Sequence, residues 1–503
     1  MPEKSNSSRV GFELRVGQPA RVTKPGLDAP FRILVIGDFS GRENRHVANP
    51  LTGRHPISID VDNFDKMLGT FGVELKLSDS GEAGKSIDLS FTKLEDFHPD
   101  RLFERIGAFA AMRHLRTRLL NSATFEAAAR ELGGATTNGL SASSSSPPSP
   151  STEAESESET LQRLLGKEKG PTQPTAQTTG GVDVNAFIKN IIAPHVVPNT
   201  KPQQAVLVAA VDDGISKQMR GILHHADFQA LESAWRGLDF LVRNLELNES
   251  LQVYVLDATR EELRQDLAAD DLSHTAAYTS LVEQTVGTRG GQPWAVLVGN
   301  YTFDQTRADA DWLARMGAIA EQAGAPFIAT ASSRFLDAGN AGCTMSDADK
   351  DAWESLRRLP QAAWIGLALP RFLLRLPYGK TTDGIDKFDF EENPVPPKHD
   401  CYLWGNPALG CACLLGQSFG QSGWEFSPED NLELEGLPLH VYKESGESKM
   451  TPCAEVWLSD ADYEGLLDCG LMPFFSIRGR DAVRLARFQA VSTPAAALCG
   501  RWI

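Results

Sequence analysis

The sequence has few cysteines, and all seven lie at or after Cys343. Seven is an odd number, and no pair has the CxxC spacing of a zinc site or a redox motif. Cys411 and Cys413 stand two residues apart, with no histidine at ligand spacing. The cysteines are therefore predicted to be reduced thiols in apolar surroundings, and neither a metal nor another cofactor is expected.

Two further absences exclude classes of partner. Lys and Arg number 49 against 66 Asp and Glu, which gives a net charge of −17, and the cations form no block. Nucleic acid and anionic membrane surfaces both need clustered cations, so neither is expected as a partner. No apolar run reaches about 18 residues, and the first residues lack an apolar signal core, so no membrane insertion is expected and the predicted location is cytoplasmic.

Residues 134–182 contain few apolar side chains, and residues 141–151 are almost entirely Ser, Pro and Ala. Such a segment cannot bury enough apolar surface to offset its conformational entropy, so it is predicted to be a disordered linker. Leu161, Leu164 and Leu165 interrupt it and indicate one amphipathic turn. That turn is either part of a solvated linker or a docking peptide for a partner.

Strand-like runs and helical patterns on either side of the linker favour an α/β fold (mixed α+β), and after the linker their alternation favours a largely parallel sheet. The predicted buried strands are residues 31–36, 251–256, 294–299, 326–331 and 363–369. A helix is predicted at about 402–419. Antiparallel strands are then predicted at residues 437–442, 454–458 and 474–477.

Residues 221–243 are predicted to form one amphipathic helix around which the C-terminal half is organised. Its apolar side chains recur every three or four residues, so they share one face. The predicted core residues of this helix are Phe228, Leu231, Trp235 and Leu238, with Val242 continuing the stripe.

His224 and His225 precede this stripe and raise the alternative of a metal or acid–base site. Neighbours on a helix point about 100° apart and cannot chelate one ion without a third element. The favoured hypothesis is therefore that one histidine caps or packs at the start of the helix.

Three short motifs suggest chemistry, and each lacks part of its context. Residues 416–420 (GQSFG) match the GxSxG nucleophile elbow, which would make Ser418 the nucleophile of a serine hydrolase, but the residues before it favour a helix rather than a strand. Residues 37–42 form a glycine-rich turn after a strand without the phosphate-loop lysine, and residues 379–381 (GKT) lack the first glycine of that loop. No catalytic residue is predicted, and the protein is expected not to be an enzyme.

Longer motifs resemble a known family. Residues 224–238 (HHADFQALESAWRGL), 297–303 (LVGNYTF), 325–329 (APFIA), 369–379 (LPRFLLRLPYG) and 402–406 (YLWGN) are similar to the large contractile-sheath subunit of bacterial type VI secretion systems. Residues 34–39 (LVIGDF), 59–64 (IDVDNF) and 94–100 (LEDFHPD) resemble the separate small sheath subunit.

The resemblance implies a fusion of two intertwined sheath-type α/β domains: a small-subunit-like domain (1–133), the linker (134–182) and a large-subunit-like domain (183–503). It implies a structural role, in which subunits stack into a helical sheath around an inner tube and contraction drives the tube outward. The implied partners are other sheath subunits or further copies of this chain, the inner tube protein, the baseplate and a recycling AAA+ unfoldase, for which Leu161, Leu164 and Leu165 are the candidate docking residues.

Two departures from the family pattern concern the elements that stitch subunits together. Family large subunits continue past the position of residues 474–477 into another helix and terminal strands, whereas this chain stops at Ile503. The helical C-terminus of the small subunit is also shortened, and the linker replaces it. The alternative expectation is therefore a non-polymerising sheath homologue that acts as an end-cap, baseplate adaptor or assembly regulator.

Overall fold

The computed structural model of the protein describes residues 25–78, 86–133, 200–337 and 346–502. The predicted linker (134–182) and the docking residues Leu161, Leu164 and Leu165 lie outside these ranges. The described residues fall into two compact units: unit 1 comprises those within 1–106 and 216–503, and unit 2 comprises those within 107–215.

The α-helices of the described residues are α1 (Phe64–Phe71), α2 (Pro99–Arg105), α3 (Ala110–Leu120), α4 (Phe125–Gly133), α5 (Thr200–Leu223), α6 (Ala226–Arg243), α7 (Arg260–Asp266), α8 (Ala276–Tyr278), α9 (Arg307–Ala323), α10 (Arg334–Asp337), α11 (Asp347–Arg357), α12 (Pro407–Ser422) and α13 (Asp460–Asp468). The strands are β1 (Phe31–Gly37), β2 (Ile57–Ile59), β3 (Val73–Ser78), β4 (Ser86–Phe91), β5 (Leu251–Asp257), β6 (Val296–Phe303), β7 (Phe327–Ala331), β8 (Ile365–Leu369), β9 (Phe372–Leu373), β10 (Trp404–Gly405), β11 (Glu433–Leu434), β12 (Val441–Glu444), β13 (Glu447–Met450), β14 (Met472–Ser476) and β15 (Val483–Leu485).

A nine-stranded sheet forms the centre of unit 1, in the order β11-β15-β14-β8-β7-β6-β1-β5-β2. The six strands from β14 to β5 in this order run parallel, and β2, β15 and β11 add antiparallel edges. Crossovers between parallel strands need long connections, which the helices supply. The predicted mixed α/β fold with a largely parallel sheet is confirmed.

Strand β1 belongs to the first part of the chain but lies inside the sheet built by the second. It pairs with β5 on one side and with β6 on the other; Ile33, for example, lies opposite Val253 and Val296. The apolar run from Phe31 to Ile36 suits this position, because a central parallel strand is covered on both faces. The N-terminal strand therefore shares one hydrogen-bonded sheet with strands more than 200 residues later in the chain.

Helices cover the two faces of the sheet. Leu34 and Ile36 of β1 join the core cluster that includes the buried side of α9. Ile33 points to the opposite face, as successive strand residues do, and there it lies beside Gly416 of α12. An added Cβ at Gly416 would come within 2.8 Å of the Leu245 side chain, so glycine allows α12 to pack closely.

Unit 2 consists of α3, α4 and the first part of α5. Arg116 of α3 makes two hydrogen bonds to the buried carboxylate of Asp212 on α5, at 2.6 and 3.3 Å. Gln204 Nε2 donates to the carbonyl of Leu119 at 2.7 Å, which covers one of the free carbonyls at the end of α3.

Two predicted helices were wrong in their extent. Residues 221–243 are not one helix, because α5 ends at Leu223 and α6 begins at Ala226. The predicted helix at 402–419 begins only at Pro407, since Asn406 caps it and proline is favoured at a first helical position. Before it, β10 pairs with β9.

The predicted antiparallel strands also differ from the structure. Residues 454–458 form no strand, and Ala454 makes one isolated bridge to Phe372. The strand predicted at 437–442 begins only at Val441, as half of the hairpin β12–β13. Strand β14 is antiparallel to β15 but parallel to β8, so this region extends the central sheet.

Candidate functional site: the contact between the two segments

The contact of interest joins two parts of unit 1, here called the N-terminal segment (the described residues of 25–106) and the C-terminal segment (216–502). Helix α6 of the C-terminal segment lies at its centre. Its four predicted core residues are between 0% and 4% exposed: Phe228, Leu231, Trp235 and Leu238.

Trp235 packs against aromatic side chains of the N-terminal segment. Its ring stands edge-on to Phe39 and Phe64, with ring centroids 5.4 and 5.7 Å away. The indole Nε1 donates to the backbone carbonyl of Phe39 at 2.8 Å, which satisfies the polar atom of a fully buried tryptophan. One side chain therefore supplies both apolar contact and a specific hydrogen bond across the two segments.

Phe228, two turns earlier on α6, has the same role at a second place. Its ring stands at steep angles to Phe97 and Phe91, at 5.7 and 6.1 Å. Those two rings stack on each other at 4.0 Å. The apolar face of α6 is thus covered by side chains that lie more than 120 residues away in sequence.

The glycine-rich turn after β1 binds an anion from the protein itself. The backbone N–H groups of Phe39 and Ser40 donate to Asp257 Oδ1 at 2.8 and 3.2 Å. Asp257 is the last residue of β5. Its carboxylate accepts the backbone N–H groups that would bind a phosphate if this turn were a phosphate loop. The turn therefore joins the segments rather than presenting free donors.

Two arginines of the N-terminal segment converge on a buried carboxylate beside this turn. Arg54 contacts Glu262 at 2.8 and 2.9 Å, and Arg42 contacts it at 2.9 and 3.2 Å while also pairing with Asp257. Burial by itself raises the pKa of Glu262, but the hydrogen bonds from Arg54 and Arg42 outweigh it and hold the pKa well below its usual range. The carboxylate is therefore charged and paired.

A second buried ion cluster includes Glu232, which lies on α6 next to the apolar stripe. Arg375 contacts Glu232 at 2.9 and 3.3 Å and Glu392 at 2.7 and 3.0 Å. Burial by itself raises the pKa of Glu392, but the charge of Arg375 and the hydrogen bonds to the carboxylate lower it to about 2. Burial raises the pKa of the adjacent Tyr378 to about 12. The ring of His98, from the N-terminal segment, stands edge-on to Tyr378 at 4.9 Å.

The two histidines occupy the break between α5 and α6. His225 is the N-cap of α6, and its Nδ1 accepts from the backbone N–H of Asp227 at 3.3 Å. His224 Nε2 lies 3.5 Å from Glu392 Oε1, at the edge of the second ion cluster. Within the described ranges, no group of three or more His, Cys, Asp or Glu side chains is arranged to hold a metal ion.

Ser418 does not form a nucleophile elbow. It lies inside α12, it is buried, and its hydroxyl donates to the carbonyl of Leu414 at 2.9 Å. The elbow requires a sharp turn between a strand and a helix, so the serine-hydrolase geometry is absent at this position. On the same helix, burial raises the pKa of the Cys413 thiol to about 12, which makes it an inert apolar group.

The GKT motif at 379–381 is part of a turn in which Gly379 N–H donates to the carbonyl of Asp383 at 2.8 Å. Lys380 pairs with Asp389 at 2.8 Å and is mostly exposed.

A cleft of about 490 Å³ lies along α6 and the ends of β6 and β7. Arg371 lines this cleft, and its guanidinium group donates two hydrogen bonds to the carboxylate of Glu455, at 2.6 and 2.8 Å.

Sequence reasoning missed the charged residues of the two ion clusters: Arg42, Arg54, Asp257, Glu262, Arg375 and Glu392. One signal was present, since Thr259 and Glu262 form the capping box that opens α7. The capping box accounts for one contact of Glu262, from the Thr259 N–H at 2.8 Å. Nothing in the local sequence shows that the same carboxylate also receives arginines from more than 200 residues away.

No helix in the described parts of the chain is long and apolar enough to cross a membrane.

Two family models match the chain. The model described as the tail sheath N-terminal domain (VipB, EvpB/VC_A0108) matches residues 205–492, more than half of the 503 residues. The model described as type VI secretion system, VipA, VC_A0107 or Hcp2, matches residues 3–130. The two matches fall on either side of the predicted linker.

Two curated proteins of Pseudomonas aeruginosa are similar to the two parts of the chain. Type VI secretion system sheath protein TssC1 is 34% identical over 305 residues, which are 58% of this chain and 61% of that protein. Type VI secretion system sheath protein TssB1 is 30% identical over 102 residues, which are 19% of this chain and 58% of that protein. The matched regions thus span about three fifths of each relative. The chain belongs to the type VI secretion system sheath family, and it joins segments that match both of that family's subunit types.

Proposed function

We propose that this protein is a structural building block of a type VI secretion sheath, with a small-subunit-like part (1–133) and a large-subunit-like part (183–503) in one chain. The observation that carries the proposal is the position of β1. This strand of the first part pairs on both sides with strands of the second part. A sheet that needs a strand from each part supports a unit in which the two parts act as one.

The family matches on either side of residues 134–182 support the same division of the chain. The proposed partners are other sheath subunits or further copies of this chain, the inner tube protein and the baseplate. The proposed location is the cytoplasm. The role is mechanical rather than enzymatic, and the buried position of Ser418 in α12 supports that reading of the GxSxG motif.

Electron microscopy of the purified chain tests this function. The chain is imaged alone and after mixing with separately encoded small and large sheath subunits. Tubules of the chain alone, or its incorporation along mixed tubules, would support the proposal. Binding only to tubule ends would point to an end-cap or adaptor, and no binding to any sheath assembly would refute a sheath function.

An AAA+ unfoldase is a further proposed partner, with Leu161, Leu164 and Leu165 as its docking residues. In any helical turn, leucines spaced three and four residues apart share one apolar side, which a groove of a partner can bind. Deleting residues 156–168 should abolish binding of the purified unfoldase, measured by pull-down. Deleting residues 141–151 is the control and should leave binding unchanged. Equal binding by both deletions would dismiss this partner.

A further inference from the structure

Glu262 receives its hydrogen bonds mainly from the N-terminal segment. Its side chain is 2% exposed, and four contacts come from the guanidinium groups of Arg42 and Arg54. The backbone N–H of Asn49 adds another at 2.9 Å. From its own segment, the carboxylate accepts only the capping contact with Thr259 among the bonds described here.

Asp257 adds a second carboxylate to the same place. It is 8% exposed, and it pairs with Arg42 while accepting from the backbone N–H groups of Phe39 and Ser40. The C-terminal segment therefore presents two buried negative charges, and the N-terminal segment presents two arginines that match them. Arg42 binds both carboxylates. Of the two carboxylates, Arg54 binds only that of Glu262, and it also donates to the backbone carbonyl of Asp257 at 2.8 Å.

A buried carboxylate that loses its cation is strongly destabilising, because neither water nor another group replaces the partner. An interface built in this way discriminates against partners through the charges they leave unpaired. The main-chain pairing of β1, by contrast, is available to any apolar strand of suitable length. Selectivity must therefore come from side chains such as these.

We infer that Glu262 and Asp257 make the C-terminal segment selective for an N-terminal segment that carries arginines at positions 42 and 54. The partner class is a small-subunit-type chain with two cations after its first strand, and a chain with neutral residues there is rejected. This inference rests on the proposed function, since it assumes that the two parts pair as sheath subunits do.

An exchange experiment on the full chain tests the selectivity. A protease site is placed within residues 134–182, and the folded chain is cut. The cut wild-type and Arg54→Gln proteins, with different tags on their N-terminal segments, are mixed. They are unfolded in urea and refolded together so that the segments can exchange. Among the N-terminal segments bound to C-terminal segments after refolding, the wild type should outnumber the variant by about tenfold. That ratio is the effect expected of a hydrogen-bonded charge that is partly exposed.

Two controls separate charge matching from general damage. Arg45→Gln removes an arginine that pairs with Glu74 at 2.7 Å inside the N-terminal segment, so it should show no preference. When the C-terminal segment carries Glu262→Gln, the preference for Arg54 should disappear. Equal recovery with wild-type Glu262, or a preference that persists with Glu262→Gln, would overturn the inference.

A second measurement decides the case in which the cut segments do not exchange. Urea unfolding of the intact chain is measured for Arg54→Gln, Glu262→Gln and both together. The double variant should lose less free energy of unfolding than the two single variants lose together, because neither charge is left without a partner. Strictly additive losses would overturn the inference. If the cut segments separate without urea, the proposed pairing itself fails; if they stay together without selectivity, only this inference fails.

Discussion

At the scale of single residues, Trp235 is the side chain that most clearly joins the two segments. It is fully buried, its partners Phe39 and Phe64 come from the N-terminal segment, and its Nε1 is satisfied by the Phe39 carbonyl. Trp235→Ala would leave a large cavity and an unpaired carbonyl, so we expect a loss of about 3–5 kcal/mol in the free energy of unfolding. Urea unfolding followed by circular dichroism measures this change.

The matched control is Trp457→Ala, because Trp457 is half-exposed. Removing it should change the stability far less than removing Trp235. Trp235→Phe keeps an aromatic ring but loses the donor to Phe39, and we expect an intermediate loss of about 1–3 kcal/mol. A Trp235→Ala protein as stable as the wild type would contradict the conclusion that this side chain stabilises the core.

A buried histidine gives the fold a pH dependence. His440 is 7% exposed, its Nδ1 lies 2.6 Å from the Tyr402 hydroxyl, and burial lowers its pKa. In the unfolded chain a histidine takes up its proton near its ordinary pKa of about 6.5, before the folded one does. The stabilising contribution is therefore complete above about pH 6.5 and is lost as pH falls through the lower folded pKa.

We predict that His440→Asn flattens the fall in stability below pH 6.5. One proton accounts for a slope of at most about 1.4 kcal/mol per pH unit. The measurement is the urea midpoint between pH 5 and 8. His274→Asn is the control, because it removes a histidine whose side chain is 81% exposed. An unaltered slope in His440→Asn would contradict the prediction.

At the scale of elements, β1 is the one on which the fold of unit 1 most depends. Val35 lies opposite Val255 on one side and Val298 on the other. Val35→Pro removes a ladder hydrogen bond in the middle of the sheet, so we expect a loss of about 3 kcal/mol or more. Hydrogen exchange measured by mass spectrometry should show faster exchange in both β5 and β6.

The control for β1 is Val441→Pro in the exposed hairpin β12–β13, which pairs with no other strand in the described residues. That substitution should raise exchange only locally. If Val35→Pro left β5 and β6 protected, the sheet would not depend on the strand from the N-terminal segment.

Several elements could be predicted from the sequence because their signals are local. The apolar run at β1 and the three-and-four spacing of α6 each specify an element and its buried face. The predicted extent of one helix over residues 221–243 was wrong, because the apolar pattern continues across the break at His224 and His225. A histidine cap at a helix start was expected there, and His225 is that N-cap. The start of α12 was missed although Asn406 and Pro407 form a recognisable N-terminal signal.

The charged part of the contact could not be predicted for a different reason. Glu262 is explained locally by its capping box with Thr259, so it carries no sign of a second role. The partners Arg42 and Arg54 lie about 200 residues away, and only the insertion of β1 between β5 and β6 brings them close. Pairing across such distances follows from strand order, which a single sequence with no repeats does not specify.

At the scale of the whole molecule, the N-terminal and C-terminal segments form one folded body within unit 1. The N-terminal segment contributes the strand β1, the aromatic partners of α6 and the arginines that neutralise Glu262. Each contribution completes a structure in the C-terminal segment that would otherwise expose a strand edge, an apolar helix face or a buried charge. We therefore expect these contacts to persist, once formed, when the chain is cut within residues 134–182.

The most direct test is to cut the folded chain at a protease site within residues 134–182 and to weigh the product by native mass spectrometry. The account predicts that the two fragments remain together as a one-to-one complex, and that they separate only in denaturant. Fragments that part in native buffer, each folded by itself, would contradict it.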